Sequence, residues 1–314
     1  MFDNTSLCSV LGAAVQRTST MTTKESYQTF LNGLGIVNAV LSPVTVFANF
    51  LILLSLWKTS SLRRPSNILI ASLALADLCV GLFLQPTLVL INIGARHIST
   101  TSLCVLFQSH VFLAYHFTAL SLGTLTYLSL ERLIALTWHL RYYELVTKKK
   151  VVFVVIQLWV FQAVMSVITW FAIGRYYILT ALSVAGEFGC ILVICCSYVN
   201  ICKIVRQHRR RIQNDRSASQ EQNSLDMLRY KAKTCTSLLI LKLFALCYFP
   251  YLCAEIRRLS RMEHDSIDIV GFSLLETFVF VNSSLNPVIY FWRVKDLRRA
   301  AWNALRGINA CHNE

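Results

Sequence analysis

The apolar positions of this chain come in long blocks separated by short polar links. Seven blocks, at about 31 to 57, 66 to 92, 103 to 138, 150 to 173, 177 to 202, 234 to 256 and 267 to 291, are each long enough to carry a helix across the hydrocarbon of a bilayer. A closed barrel is the other way to span a membrane, but its strands alternate polar and apolar positions. The run from Val151 to Trp159 is apolar almost throughout. The pattern predicts an all-α membrane protein, a bundle of seven transmembrane helices. After Tyr290 the residues Val294, Leu297, Ala301 and Leu305 share one helical stripe, with Arg298, Arg299 and Arg306 off it. That spacing predicts a short amphipathic helix on the anionic inner leaflet, and a solvated charged tail is the alternative.

The chain divides accordingly into an N-terminal segment, 1–30, a helical bundle, 31–291, and an amphipathic helix with a short tail, 292–314. One long link lies within the bundle, at 203–233. It is strongly basic, carries Arg209, Arg210 and Arg211, and reads as a flexible loop with helix extensions at each end.

Composition agrees with the pattern: 55% of the 314 residues are hydrophobic and 15% charged, which excludes an ordinary soluble domain. The net charge of +14 has a topological meaning. The first, third, fifth and C-terminal links hold 21 Lys and Arg residues, and the N-terminus and remaining links hold 7. The basic side stays in the cytoplasm, so the N-terminus is expected outside, in a multi-pass plasma-membrane protein, and no nucleic-acid partner is expected. Residues 1–29 lack a basic start, so the first span is expected to act as its own insertion signal. Asn4 opens an Asn-Thr-Ser glycosylation sequon on that outer segment. Of the 11 cysteines only Cys8 and Cys104 are clearly outside, where the two are able to pair. Cys311, beyond the amphipathic stripe, is a palmitoylation candidate or a free thiol.

Polar groups within the spans are expensive and therefore candidates for function. Asp77 lies midway along the second span and Asn49 deep in the first, while Asn282, Ser283 and Asn286 stack on the seventh. An anionic Asp77 among amide and hydroxyl oxygens suits a small monovalent cation; a hydrogen-bond network that merely packs helices is the alternative. At the inner end of the third span Glu131 precedes Arg132, a charge pair that a competing partner is able to open. Glu187 and Lys242 also lie within spans, with no role that the sequence assigns.

Asn49, the run Leu73 to Asp77, Glu131-Arg132-Leu133, Trp159, Tyr198, Cys247-Tyr248-Phe249-Pro250 and Asn286-Pro287-Val288-Ile289-Tyr290 occur in order on seven successive spans. Together they resemble the helix-by-helix signature of rhodopsin-like G-protein-coupled receptors, over nearly the whole chain. A short second outer link without cysteine, Cys190 at the usual fifth-span proline, and Leu140-Arg141-Tyr142 look closest to the cluster of melanocortin, adenosine and cannabinoid receptors.

The resemblance implies roles. Asp77, Ser121, Asn282 and Asn286 match that family's sodium site, and no other cofactor is implied. Phe244 and Tyr248, beside Pro250, match its sixth-span switch. Arg132, Tyr198, Tyr290 and the Asn286-Pro287 motif match residues that rearrange when a G protein is admitted, and Leu140 matches a residue that inserts into it. Leu133 and Tyr248 depart from the family's usual tyrosine and tryptophan. Ala114 stands where amine receptors carry an aspartate, and Phe280 where opsins carry the retinal lysine. The melanocortin acidic positions fall here on Thr87, Phe107 and Val111.

The remaining ligand pocket comprises Ala114, Tyr115, Thr118 and Tyr251 with Glu255 and Glu276 nearer its mouth, and two carboxylates there favour a cationic or peptide ligand. The plainer alternative pairs Glu255 with Arg258 and leaves Glu276 solvated. The expected partners are an extracellular ligand, a heterotrimeric G protein and the lipid bilayer. Arrestin would have to use Ser217, Ser219 or Ser224, because no Ser or Thr follows Arg293. A receptor-like protein that no longer signals is the main alternative. A transporter or channel would show paired broken helices, charge rings or a repeat, and an enzyme a cluster of catalytic groups at membrane depth.

Overall fold

The structure is a computed structural model that describes residues 24–59, 62, 64–94, 97–138, 141–172, 177–214, 246–257 and 269–310. The described residues are helical almost throughout. The first span is Lys24–Lys58; the second runs from Pro65 to Gly94; the third is Thr100–Thr137, the fourth Lys148–Ala172, and the fifth Tyr177–Asn214. Residues 246–257 form the described part of the sixth span, and Ile269–Arg293 is the seventh. Six of these helices are long and apolar enough to cross a membrane. The N-terminal segment is already helical from Lys24, and the fifth helix continues into the basic link as far as Asn214, one of the anticipated extensions.

Local chemistry sets the helix ends. Pro65 starts the second span at a position where its missing N–H would have had no intrahelical partner. Ser99 caps the third span, its hydroxyl accepting from the Ser102 amide at 3.2 Å. The second span is not one uninterrupted α-helix. It contains a π-helical turn, Val80–Leu84, between the α-helical pieces Pro65–Cys79 and Gln85–Gly94. Pro86 lies just beyond this turn, where it removes a backbone donor. Ser42 on the first span donates to the Gly81 carbonyl within the turn at 2.9 Å. Gly81 permits that approach, since a Cβ there would lie 2.9 Å from Val46 Cγ2 and 3.1 Å from the Val46 backbone nitrogen.

The largest fully buried side chains include Ile52, Leu73, Leu120, Ile201, Tyr248 and Phe280, so the core draws on the first, second, third, fifth, sixth and seventh spans and is densest on the second and third. Large apolar side chains such as Phe47, Phe161, Phe171 and Leu192 are exposed, as a lipid-facing surface requires. The helix Lys295–Ala310 follows the seventh span. It buries Leu297, Ala300, Ala301 and Ala304, packs against the first and seventh spans, and exposes Arg298 and Arg299. A tail solvated on all sides does not fit that buried face. Arg306 stacks over the exposed Trp302 ring at 5.2 Å.

Candidate functional site

Three polar layers cross the bundle. In the middle one, Asn286 on the seventh span donates to Asp77 Oδ2 at 2.8 Å. Asn49 donates to the Thr45 and Ser283 carbonyls at 2.9 and 3.2 Å, and the Thr45 and Ser284 hydroxyls meet at 2.6 Å. The other Asp77 oxygen, Ser121 Oγ, Asn282 Oδ1 and Asn286 Oδ1 are buried without a protein partner. Ser121 and Asn282 also line a small cavity with Thr118, Ser283 and Phe280. Buried oxygens of this kind require a proton, a water or a hard cation as partner, and an all-oxygen donor set suits the cation. Asn286 is thus bonded to Asp77, and Ser121 and Asn282 line one cavity.

At the inner end, Glu131 and Arg132 are adjacent, Arg132 Nε lying 3.4 Å from Glu131 Oε2. Tyr142, on the short helix Tyr142–Leu145, donates its hydroxyl to the other Glu131 oxygen at 2.5 Å. Burial, reinforced by the Glu131 carboxylate, raises the Tyr142 hydroxyl above the ordinary tyrosine range, so it remains the donor in this bond. Tyr290 is buried within electrostatic reach of both Asp77 and Arg132, and Arg132 and Tyr290 share a crevice with Arg64, Asn67, Val294 and Asp296. Tyr198 is half-buried on the fifth span, Pro287 lies within the seventh helix, and Pro250 is exposed on the sixth.

The outer layer differs most from what the sequence suggested. Glu276 is not solvated: its side chain is 4% exposed, and Oε2 lies 2.7 Å from Nε2 of His110, which is fully buried. The other nitrogen of that ring, Nδ1, meets Thr87 Oγ1 at 2.7 Å. Phe272 and Phe280 present edge contacts to the imidazole, with ring centroids 6.3 and 6.2 Å away. Sequence reasoning passed over His110. The available signal was its being a titratable side chain inside a span, the same criterion that singled out Asp77. Ala114 is buried, while Tyr115, Thr118, Tyr251 and Glu255 are half-buried. Tyr248 is buried, packs 5.6 Å from Tyr251 and reaches towards Glu187 on the fifth span, giving that carboxylate a hydroxyl neighbour. Cys104 is disulfide-bonded. Asn4, Cys8, Leu140, Phe244, Lys242 and Cys311 lie outside the described residues.

A membrane-spanning helical bundle with a charge pair at one end and polar layers through its centre is the architecture of an integral membrane protein with polar groups at depth, and its class is given by comparison with known families. The family model described as 7 transmembrane receptor (rhodopsin family) matches residues 48–290. The chain belongs to that family: it is a rhodopsin-like G-protein-coupled receptor, a multi-pass protein of the plasma membrane that binds an extracellular ligand and signals through G protein. Among its relatives, the human (Homo sapiens) histamine H2 receptor is 26% identical over 284 residues, covering 84% of this chain and 76% of the relative. Trace amine-associated receptor 365 of Petromyzon marinus is 23% identical, covering 87% and 80%. Melanocortin receptor 5 of Rattus norvegicus is 22% identical, covering 86% and 82%.

Proposed function

We propose that the receptor keeps its N-terminus outside, takes a cationic small molecule or peptide between its third, sixth and seventh spans, and couples that ligand to a heterotrimeric G protein through Arg132. The observation that carries the coupling is the crevice at the inner end, which has Arg132 and Tyr290 in its wall. Ligand that binds the active arrangement more tightly than the inactive one shifts the population towards the G-protein-binding state, without chemistry by the receptor. The Glu131 carboxylate and the Tyr142 hydroxyl hold the inactive arrangement together, and a G protein competes for Arg132.

The relatives include a histamine and a trace-amine receptor and also a melanocortin receptor. Ala114 carries no charge, so the counter-charge for a cation is assigned here to Glu276 and Glu255, above Tyr115, Thr118 and Tyr251. Sodium is proposed to bind the oxygens of Asp77, Ser121, Asn282 and Asn286 and to stabilise the inactive arrangement. Arrestin engagement is assigned to Ser217, Ser219 and Ser224 once phosphorylated. For Cys104 the proposed partner is Cys8: seven other cysteines are free, and the remaining Cys235 and Cys311 fall on the basic, cytoplasmic side.

The test is expression in cells with second-messenger readouts for basic peptides, amines, lipids and nucleosides, comparing wild type with Arg132→Ala. The expected result is a ligand response, or ligand-independent activity, that Arg132→Ala abolishes while surface expression is retained. A response unchanged in that variant would sink the coupling assignment.

A further inference from the structure

The proposed counter-ion for the ligand already has a partner. Glu276 on the seventh span and His110 on the third meet at 2.7 Å in a site where neither side chain has appreciable contact with solvent. A carboxylate at that depth requires a donor, and in this conformation the donor is internal. The ring is held from its other side as well. The Thr87 hydroxyl lies 2.8 and 3.0 Å from the Phe83 and Leu84 carbonyls and donates its hydrogen there. Its oxygen also lies 2.7 Å from His110 Nδ1, so the ring is fixed from both sides with Nε2 aimed at Glu276. Phe107 packs 5.6 Å from Phe272, and Phe272 and Phe280 flank the imidazole, so the ring has little room to move aside without a wider rearrangement.

We propose that His110 is a built-in competitor for the ligand: a cationic ligand reaches Glu276 only by displacing the imidazole, so His110 sets the affinity threshold and selects cations that donate to a carboxylate more strongly than histidine does. Primary ammonium and guanidinium groups have that property, and neutral analogues of the same shape do not. The inference rests on the cation reading given above. Thr87 acts one step further away as a positioning residue for the ring.

The test uses the full-length receptor purified in detergent. Its thermal unfolding midpoint is followed against rising concentrations, to millimolar, of phenethylamine, tyramine and agmatine, with 2-phenylethanol as a neutral control. Binding to the folded state raises the midpoint by mass action. His110→Ala and His110→Leu are expected to lower the amine concentration for half-maximal stabilisation by about ten-fold or more, because a hydrogen bond to a charged group no longer has to be broken. Glu276→Gln, alone or combined with His110→Ala, is expected to remove the stabilisation. His110→Leu fills much of the space of the ring without supplying a donor, so it carries the test should the alanine variant fail to fold. If cations stabilise the wild type but bind no more tightly to the His110 variants, or still bind to Glu276→Gln, the competitor role is overturned and the cation reading stands. If no cation stabilises the wild type or either His110 variant, the cation reading itself falls.

Discussion

The side of the bundle around the seventh span and the side made by the fourth and fifth spans are held together by different forces. The seventh span is tied to its neighbours by side chains at six levels. Ser273 bonds to Asn92, Glu276 to His110, Thr277 to Asn38, the Ser283 carbonyl to Asn49, Ser284 to Thr45, and Asn286 to Asp77. On the fourth span the side-chain bonds to neighbouring spans include Trp159 to Ser72 at 3.0 Å and Ser166 to His116 at 3.1 Å, and Thr169 bonds to Tyr115. Burial follows the same division: 56% of the most apolar window is buried for the second and seventh spans, against 17% for the fourth and fifth. In lipid, apolar contact gives helices little reason to prefer one another over acyl chains, so polar ties and close packing decide which helices form a rigid unit. The polar ties concentrate on the first, second, third and seventh spans, while the fourth and fifth are held more by packing against the third.

If this division is correct, the largest loss comes from cutting a tie at the centre of the rigid side. Asn286→Leu leaves Asp77 without its donor, and a loss of about 3–5 kcal/mol is expected, read as a collapse of the unfolding midpoint and of surface expression. Gly81→Leu attacks the same side by volume, forcing the first span away from the π-helical turn. About 1–3 kcal/mol is expected, and a variant as stable as wild type would mean that the close approach is not needed. Tyr142→Phe sharpens the comparison at the inner end. It removes one hydrogen bond to Glu131, and basal second-messenger output is expected to rise while stability falls by about 1.5 kcal/mol, read as a small drop in the unfolding midpoint. Phe161→Ala, on the lipid face of the fourth span, provides the contrast. A change within about 0.5 kcal/mol is expected, and a loss as large as that of Asn286→Leu would dissolve the distinction between the two sides.

The spans were legible in the sequence because length and hydropathy alone determine them. Asp77, Arg132 and Asn286 were legible because a charge or amide in an apolar run is costly wherever it lies. The outer layer was harder to foresee. His110 and Glu276 are 166 positions apart, and nothing local to either residue names the other. The same holds for Asn38 and Thr277, 239 positions apart. Glu276, read alone, was assigned to a pocket mouth, and its burial follows from a partner that only the packing supplies. Tyr142 was noticed as part of a loop motif, while its bond to Glu131 depends on the short helix that turns it back towards the third span. The π-helical turn was not legible either, since Val80–Leu84 reads as five more apolar residues of a continuous span.

That turn has a consequence for how positions are compared between relatives. A π-helical turn accommodates one residue more than an α-helical turn in nearly the same length, so the second span carries a spare residue between Asp77 and Thr87. Counting outward from Asp77 by α-helical turns therefore puts every later residue of that span one place out of phase, about 100° around the axis. A relative lacking this residue presents the same outer face from a sequence one shorter. Equivalences for Thr87 and Asn92 are better drawn from the side chains they face, His110 and Ser273, than from their distance along the chain.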